Sequence, residues 1–200
     1  MQAGTDVTLD PAGLDRNPRT PPVRTDEALM LAFAGGERDA FADLFERYRE
    51  PVWRFFRRRV PDQARADELA QETFLGLIQA ASRYRPSAAF RSYLFGVAFN
   101  VLMAWRRKAR RQGEQEMAEI DPPVRAADPD TVLWVRRALA GLDRMDREVL
   151  MLREYEQLSY DEIAGVLGVP VGTVRSRLFR ARMALREKLG AAPRPLGAET

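Results

Sequence analysis

The 200-residue chain contains no cysteine and no histidine. The first absence removes disulfides, thiolate zinc sites and cysteine nucleophiles. The second removes the commonest general base and the commonest metal ligand. Most enzyme classes thereby lose their usual parts. No stretch approaches the roughly 18 to 20 apolar residues needed to span a bilayer. The N-terminus, MQAGTDVTLDPAGLDRNPRTPP, is polar and Pro-containing, with no apolar signal-peptide core. The expectation is a soluble, cytoplasmic protein with no membrane insertion. β alternation of useful length and internal repeats are also missing. What the chain does have is 46% hydrophobic residues, enough for globular cores, in a length that suits one ordinary domain or two small ones.

Net charge is only +3, but it is unevenly placed. Residues 1–24 balance at zero, 25–112 carry +5, 113–134 carry −5, and 135–190 carry +3. Two positive blocks flanking a negative connector suit a polyanion touched twice, or Arg-rich helix faces that are simply solvated.

The hydrophobic pattern divides the chain into segments. Residues 1–24 read as a loose tail. Thr25 is placed to cap a helix that Gly35-Gly36 ends. In the next segment Phe41, Leu44, Phe45, Tyr48 and Val52 recur at spacings of three and four, and Pro51 predicts a kink or break. Leu69, Phe74, Leu77 and Ile78 share a face in ARADELAQETFLGLIQAASRY, and AFRSYLFGVAFNVLMAWRRKARR reads as a long helix, apolar first and basic last. Residues 113–130 combine three prolines, acidic charge and no periodicity, a linker composition. Thr131 then caps a second helical block over 131–190, and 191–200 form a tail. The fold class is all-α: a helical bundle over 25–112 and a second helical module, joined by a flexible acidic linker.

The stretch LSYDEIAGVLGVPVGTVRSRLFRAR holds two short helical patterns across a tight turn. Ser159 can cap the first, and Gly168 supplies the left-handed turn residue. In the second, Val174, Leu178 and Ala181 face inward, leaving Arg175, Ser176, Phe179, Arg180 and Arg182 outside. This is a helix-turn-helix, and its second helix has the width to enter a DNA major groove. Two further features carry chemistry. Aromatics at 84, 90, 93, 95 and 99 beside Arg85-Pro86-Ser87 suit the holding of unpaired bases, or a core. RRKARR, with five cations in six residues, suits phosphate neutralisation, or a cation-decorated helix end. Asp67, Glu68, Gln71 and Glu72 make a polar stripe that by spacing alone is a solvated helix face or a carboxylate metal site.

These residues also carry a resemblance. LSYDEIAGVLGVPVGTVRSRLFRARMALRE resembles the C-terminal module of bacterial sigma factors of the extracytoplasmic-function (ECF) group, in the sigma-70 superfamily. ADELAQETFLGL and FRSYLFGVAFNVLMAWRRKARR resemble the signature helices of that family's N-terminal module, in the same order and with the acidic linker between, over roughly residues 25–190. The resemblance implies sigma domain two over 25–112 and sigma domain four over 131–190. It implies that Asp67, Glu68, Gln71, Glu72 and Thr73 lie at the contact with the clamp coiled coil of core RNA polymerase. The loop from Tyr84 to Ala89 and the start of the next helix would read the −10 promoter element, through Tyr84, Phe90, Arg91 and Asn100. Arg175, Ser176, Phe179 and Arg180 would read the −35 element. Arg106, Arg107, Lys108, Arg110, Arg111, Arg177 and Arg182 would meet the DNA backbone. Further implied partners are the polymerase β flap and an anti-sigma protein, with no cofactor and no catalysis by the chain itself. Gly96, where the family often has a basic residue, and Ala104, where it often has a polar one, depart from the pattern. The rival readings are a conventional helix-turn-helix regulator acting without polymerase, and a nuclease using Asp and Glu to hold Mg²⁺.

Overall fold

The computed structural model describes residues 24–112 and 129–190, with backbone only at Pro129, Asp130 and Val132. The expected N-terminal tail up to residue 23, the linker over 113–128 and the tail over 191–200 lie outside the described residues. Eight α-helices and no strand are present among the described residues. They are α1 (Asp26–Ala34), α2 (Arg38–Arg57), α3 (Gln63–Ala80), α4 (Phe90–Arg111), α5 (Pro129–Ala140), α6 (Arg144–Glu154), α7 (Tyr160–Leu167) and α8 (Val171–Gly190).

Local chemistry sets most helix starts. The Thr25 hydroxyl accepts from the Ala28 amide at 3.3 Å, and Asp62 accepts from the Arg65 amide at 2.7 Å. Asp143 accepts from the amides of Met145 and Asp146, and these bonds hold its carboxyl below the usual range. Ser159 and Glu162 form a reciprocal capping box, and Gly168 at φ 65° closes α7. The residue before α4, Ala89, offers no side-chain cap. Glu27 of α1 replaces it, accepting from the Phe90 amide at 2.7 Å, so the α4 start is anchored by a helix 63 residues away.

Two expectations change. α2 runs unbroken through Pro51. A mid-helix proline costs about 3 kcal/mol, but the buried stripe of Leu44, Tyr48, Val52, Phe55 and Phe56 continues on both sides of it and holds the helix together. The fifth helix starts at Pro129, so Thr131 is inside it rather than capping it. Proline suits a first helical position, where its missing N–H has no partner to lose.

α1–α4 pack in sequence around Leu29, Met30, Phe55, Phe56, Leu77, Leu94, Phe95 and Leu102. α5–α8 pack around Val149, Leu152, Ile163, Val174 and Leu178. The two halves are docked, with α4 lying against α7.

Beside this seam sits a cluster of buried charges. Arg59 at the end of α2 donates to Glu148 of α6 at 2.9 Å and to Glu156 at 3.1 Å. Arg106 of α4 donates to the other oxygen of Glu148 at 2.9 Å, and Arg58 to Glu156 at 3.1 Å. Arg59, Glu148, Glu156 and Arg106 are 1%, 1%, 2% and 4% exposed, values that put the whole network out of water. Arg59 also covers the Phe55 ring, and Arg58 the Tyr155 ring. Burial alone raises the Glu148 carboxyl, but the charges and hydrogen bonds of Arg59 and Arg106 outweigh it, so Glu148 stays ionised well below the usual glutamate range.

A group depressed in the folded state contributes stability above its unfolded pKa, near 4.3, and loses it as pH falls through the lower folded value. Urea denaturation of Glu148→Gln should therefore show lower stability at pH 7, by about 3 kcal/mol, and a shallower loss between pH 5 and pH 2 than the parent chain. An unchanged acid limb contradicts the pairing.

Candidate nucleic-acid and partner interfaces

The first candidate face lies between α2 and α3. It is an open groove of about 800 Å³ lined by Phe41, Phe45, Trp53, Phe74, Leu75 and Ile78, with Asp67 and Gln71 on its polar side. Leu75 is 58% exposed and Ile78 41%, so apolar surface here faces water. Asp67 accepts from the Trp53 indole at 2.7 Å, which fixes its carboxylate at the groove edge. Glu68 pairs with Arg65, and Gln71 and Glu72 are exposed. Thr73 differs from the expectation. It is fully buried, with its hydroxyl donating to the Leu69 carbonyl at 2.8 Å, because it falls on the inner side of the same helix. Phe45 and Ile78, expected on the inner faces, are exposed at the groove.

The second face surrounds the start of α4. Tyr84, Arg85, Ser87, Tyr93, Gly96 and Asn100 line a cavity of about 260 Å³, and Gly165 and Val166 of α7 complete its wall. The structure thus brings Tyr84 and Asn100 together. Asn100 is exposed, while Tyr84 is only 3% exposed and meets Phe90 edge-on and Tyr93 at a tilt. Its hydroxyl is buried without a hydrogen-bond partner. Desolvation is the main cause that raises its pKa, aided by the Glu27 and Tyr93 charges, so the phenol keeps its proton. Phe90 does not join them. It is 1% exposed and packs edge-on against Tyr48 in the core. Arg91 is half-buried, with its guanidinium over the Phe95 ring.

The basic end of α4 is divided. Arg107, Lys108, Arg110 and Arg111 are exposed, whereas Arg106 is turned inward to Glu148. An α-helix sends successive side chains about 100° apart, so a run of six cannot all point one way.

The third face is α8. Val174, Leu178 and Ala181 are buried, and Arg175, Ser176, Phe179, Arg180 and Arg182 are exposed. Phe179 is 65% exposed, an unusual place for a phenyl ring without a partner to cover it. The Ser176 hydroxyl donates to the Thr173 carbonyl. Arg180 makes a two-bond fork to Asp146, at 3.0 and 3.1 Å, and Arg177 reaches the same carboxylate at 2.9 Å. Arg182 pairs with Glu154. Among the described residues Arg175 forms no ion pair.

The sequence reading missed Arg58, Arg59, Asp146, Glu148 and Glu156. The available signal was register: Arg59 follows Phe55 by four residues, just past the end of the apolar stripe of α2, and Glu148 precedes Leu152 by four on that of α6. Among the described residues no helix is long and apolar enough to cross a membrane, and no group of three His, Cys, Asp or Glu side chains could hold a metal ion.

Comparison with known proteins follows this division of faces. Residues 44–112 match the model for sigma-70 region 2, and residues 133–185 match that for sigma-70 region 4. The RNA polymerase sigma-H factor of Pseudomonas aeruginosa is 33% identical over 180 residues, covering 82% of this chain and 93% of that protein. The ECF RNA polymerase sigma factor SigC of Mycobacterium tuberculosis is 35% identical over 163 residues, covering 79% and 88%. The solved structure of CnrH in complex with the cytosolic domain of CnrY aligns with a TM-score of 0.65 at 28% identity, covering 84% of this chain and 99% of that one. The sigma factor RpoE of Bartonella quintana, solved with the anti-sigma factor NepR, shares the fold with a TM-score of 0.61 at 23% identity, covering 76% and 99%. The chain belongs to the sigma-70 family of RNA polymerase sigma factors, in its ECF group.

Proposed function

We propose that this protein directs core RNA polymerase to specific promoters and promotes initiation, binding DNA through two separate helical units and catalysing no reaction itself. Residues 25–112 act as domain two and 131–190 as domain four. The observation that carries the reading is that one chain presents two different DNA-suited faces, the Asn100 cavity on α4 and the Arg/Phe face of α8, plus an apolar groove on α2–α3 that neither uses. A regulator that only binds duplex DNA has use for the α8 face alone.

In this reading the groove, with Asp67, Glu68, Gln71 and Glu72 at its side, docks the clamp coiled coil. Apolar contact supplies most of the attraction, and the polar stripe fixes orientation. The cavity around Asn100 takes an unpaired base of the −10 element. An exposed carboxamide can both donate to and accept from a base edge, and the protonated Tyr84 hydroxyl is a donor beside it. On α8, Arg175, Ser176, Phe179 and Arg180 read the −35 element, and Arg177, Arg182 and the exposed cations of α4 meet phosphate. Group membership implies the β flap and an anti-sigma protein as further partners, and action in the cytoplasm.

Leu75→Glu with Ile78→Glu should weaken binding to core polymerase by at least about tenfold, since two desolvated apolar contacts become charges. Co-elution on size exclusion measures it; unchanged binding with native helix content removes the groove from the reading. Asn100→Ala and Arg180→Ala should each lower promoter binding by about 1–3 kcal/mol, the first through positions near the start site and the second through upstream positions. Base-by-base substitution of one responsive promoter separates the two. Loss of discrimination at the same positions in both variants contradicts the division of labour.

A further inference from the structure

The arginines of α8 are not held alike. Arg175 forms no ion pair among the described residues, and Arg182 is tied to Glu154 by one bond between two exposed side chains. Arg180 is braced. Its Nε and Nη2 donate to the two oxygens of Asp146, at 3.0 and 3.1 Å. A fork of this kind fixes the plane of the guanidinium as well as its place. Asp146 is itself fixed. It is 6% exposed, lies in the first turn of α6 with its amide on the Asp143 carboxylate, and also accepts from Arg177 at 2.9 Å.

The fork uses one edge of the guanidinium. Nη1 and the second hydrogen of Nη2 form another edge, and among the described residues no acceptor meets Nη1. The Arg180 side chain is 55% exposed and follows the exposed Phe179. An edge of two parallel N–H donors matches one base in the major groove. Guanine offers N7 and O6 as adjacent acceptors, whereas adenine sets a donor beside its N7. A loose arginine can turn to any phosphate or acceptor within reach. A braced one has fewer choices, so bracing turns a general cation into a reader of one base.

We propose that Asp146 is a positioning residue for recognition of the upstream promoter element: it holds Arg180 by the Nε–Nη2 edge and commits the Nη1–Nη2 edge to a guanine. The proposal rests on the reading of α8 as the −35 face. The rival role for Asp146 is to fasten α6 to α8, which would support every contact of α8 alike.

The test uses the full chain with core RNA polymerase and one responsive promoter randomised across its upstream element. Polymerase-bound DNA is sequenced for the parent chain, Arg180→Ala, Asp146→Ala and Asp146→Asn. The parent should favour guanine at one position by about fivefold or more, and Arg180→Ala should abolish that preference. Asp146→Ala leaves the arginine in place, yet should remove most of the preference at the same position. The other upstream positions, and binding to random-sequence duplex, should not change. Asp146→Asn keeps the shape and one acceptor oxygen, and should fall between parent and Asp146→Ala. It carries the test alone should Asp146→Ala lose native helix content. An equal loss at every upstream position overturns the positioning role in favour of fastening. So does an effect at positions other than that of Arg180→Ala, or a preferred base other than guanine there. If the parent selects no promoter, the sigma reading falls and the proposal with it. If the parent selects promoters and the Asp146 variants keep its profile, the proposal falls alone.

Discussion

Glu148 lies between two guanidiniums in a place that water does not reach, and the arrangement of the molecule follows from that. A carboxylate so placed must be paired or protonated, and here Arg59 from the end of α2 and Arg106 from α4 supply the pairing. The geometry needs α2 and α4 to end close together, which the α1–α4 core ensures, and it needs α6 to arrive from the other half with its first turns facing them. Once those requirements are met, α7 has one place to lie, against α4. The buried charges thus set the position of the second half more specifically than the apolar contacts beside them, because a misplaced apolar surface loses a little and a misplaced buried charge loses much.

The same helix governs the third face. α6 offers Asp146 to Arg177 and Arg180, Glu148 to Arg59 and Arg106, and Glu154 to Arg182. Arginines suited to a polyanion are thereby kept oriented and partly neutralised when no polyanion is present. Asp146 is itself buried, and the Arg180 fork to it raises the guanidinium pKa further and directs the side chain toward α6. DNA phosphates and base edges offer these groups the same bidentate chemistry as the carboxylates. In the proposed DNA-bound state Arg177 and Arg182 exchange one partner for another, which avoids ordering free side chains.

Much of the fold was legible in the sequence because it is decided locally. Thr25, Ser159 and Gly168 stand where their caps and turn require them, and the α8 periodicity separates Val174, Leu178 and Ala181 from the exposed arginines as the spacing predicts. Tyr84 and Asn100, which the family resemblance names together as −10 contacts, line one cavity. What was not legible depends on long-range contact. Arg106 reads as a DNA-facing cation from its basic run, and Arg59 draws no reading, until Glu148, 89 residues beyond Arg59, is placed beside them. Thr73 and Phe90 were assigned outward from their motifs, and the structure turns both into the core, where the helix phase carries them. Pro51 looked like a break because its local effect is unfavourable, and the buried stripe on either side outweighs it.

The central claim is that the chain gives core RNA polymerase its choice of promoter. The most direct measurement is to mix the purified protein with core polymerase and fragmented genomic DNA of its own host, free of any bound inhibitory protein, and to sequence the run-off transcripts. The account predicts discrete start sites that depend on the added protein and share two spaced upstream elements. Failure to associate with core polymerase or to start transcripts, with binding to duplex DNA as a dimer, would contradict it and leave an ordinary helix-turn-helix regulator in its place.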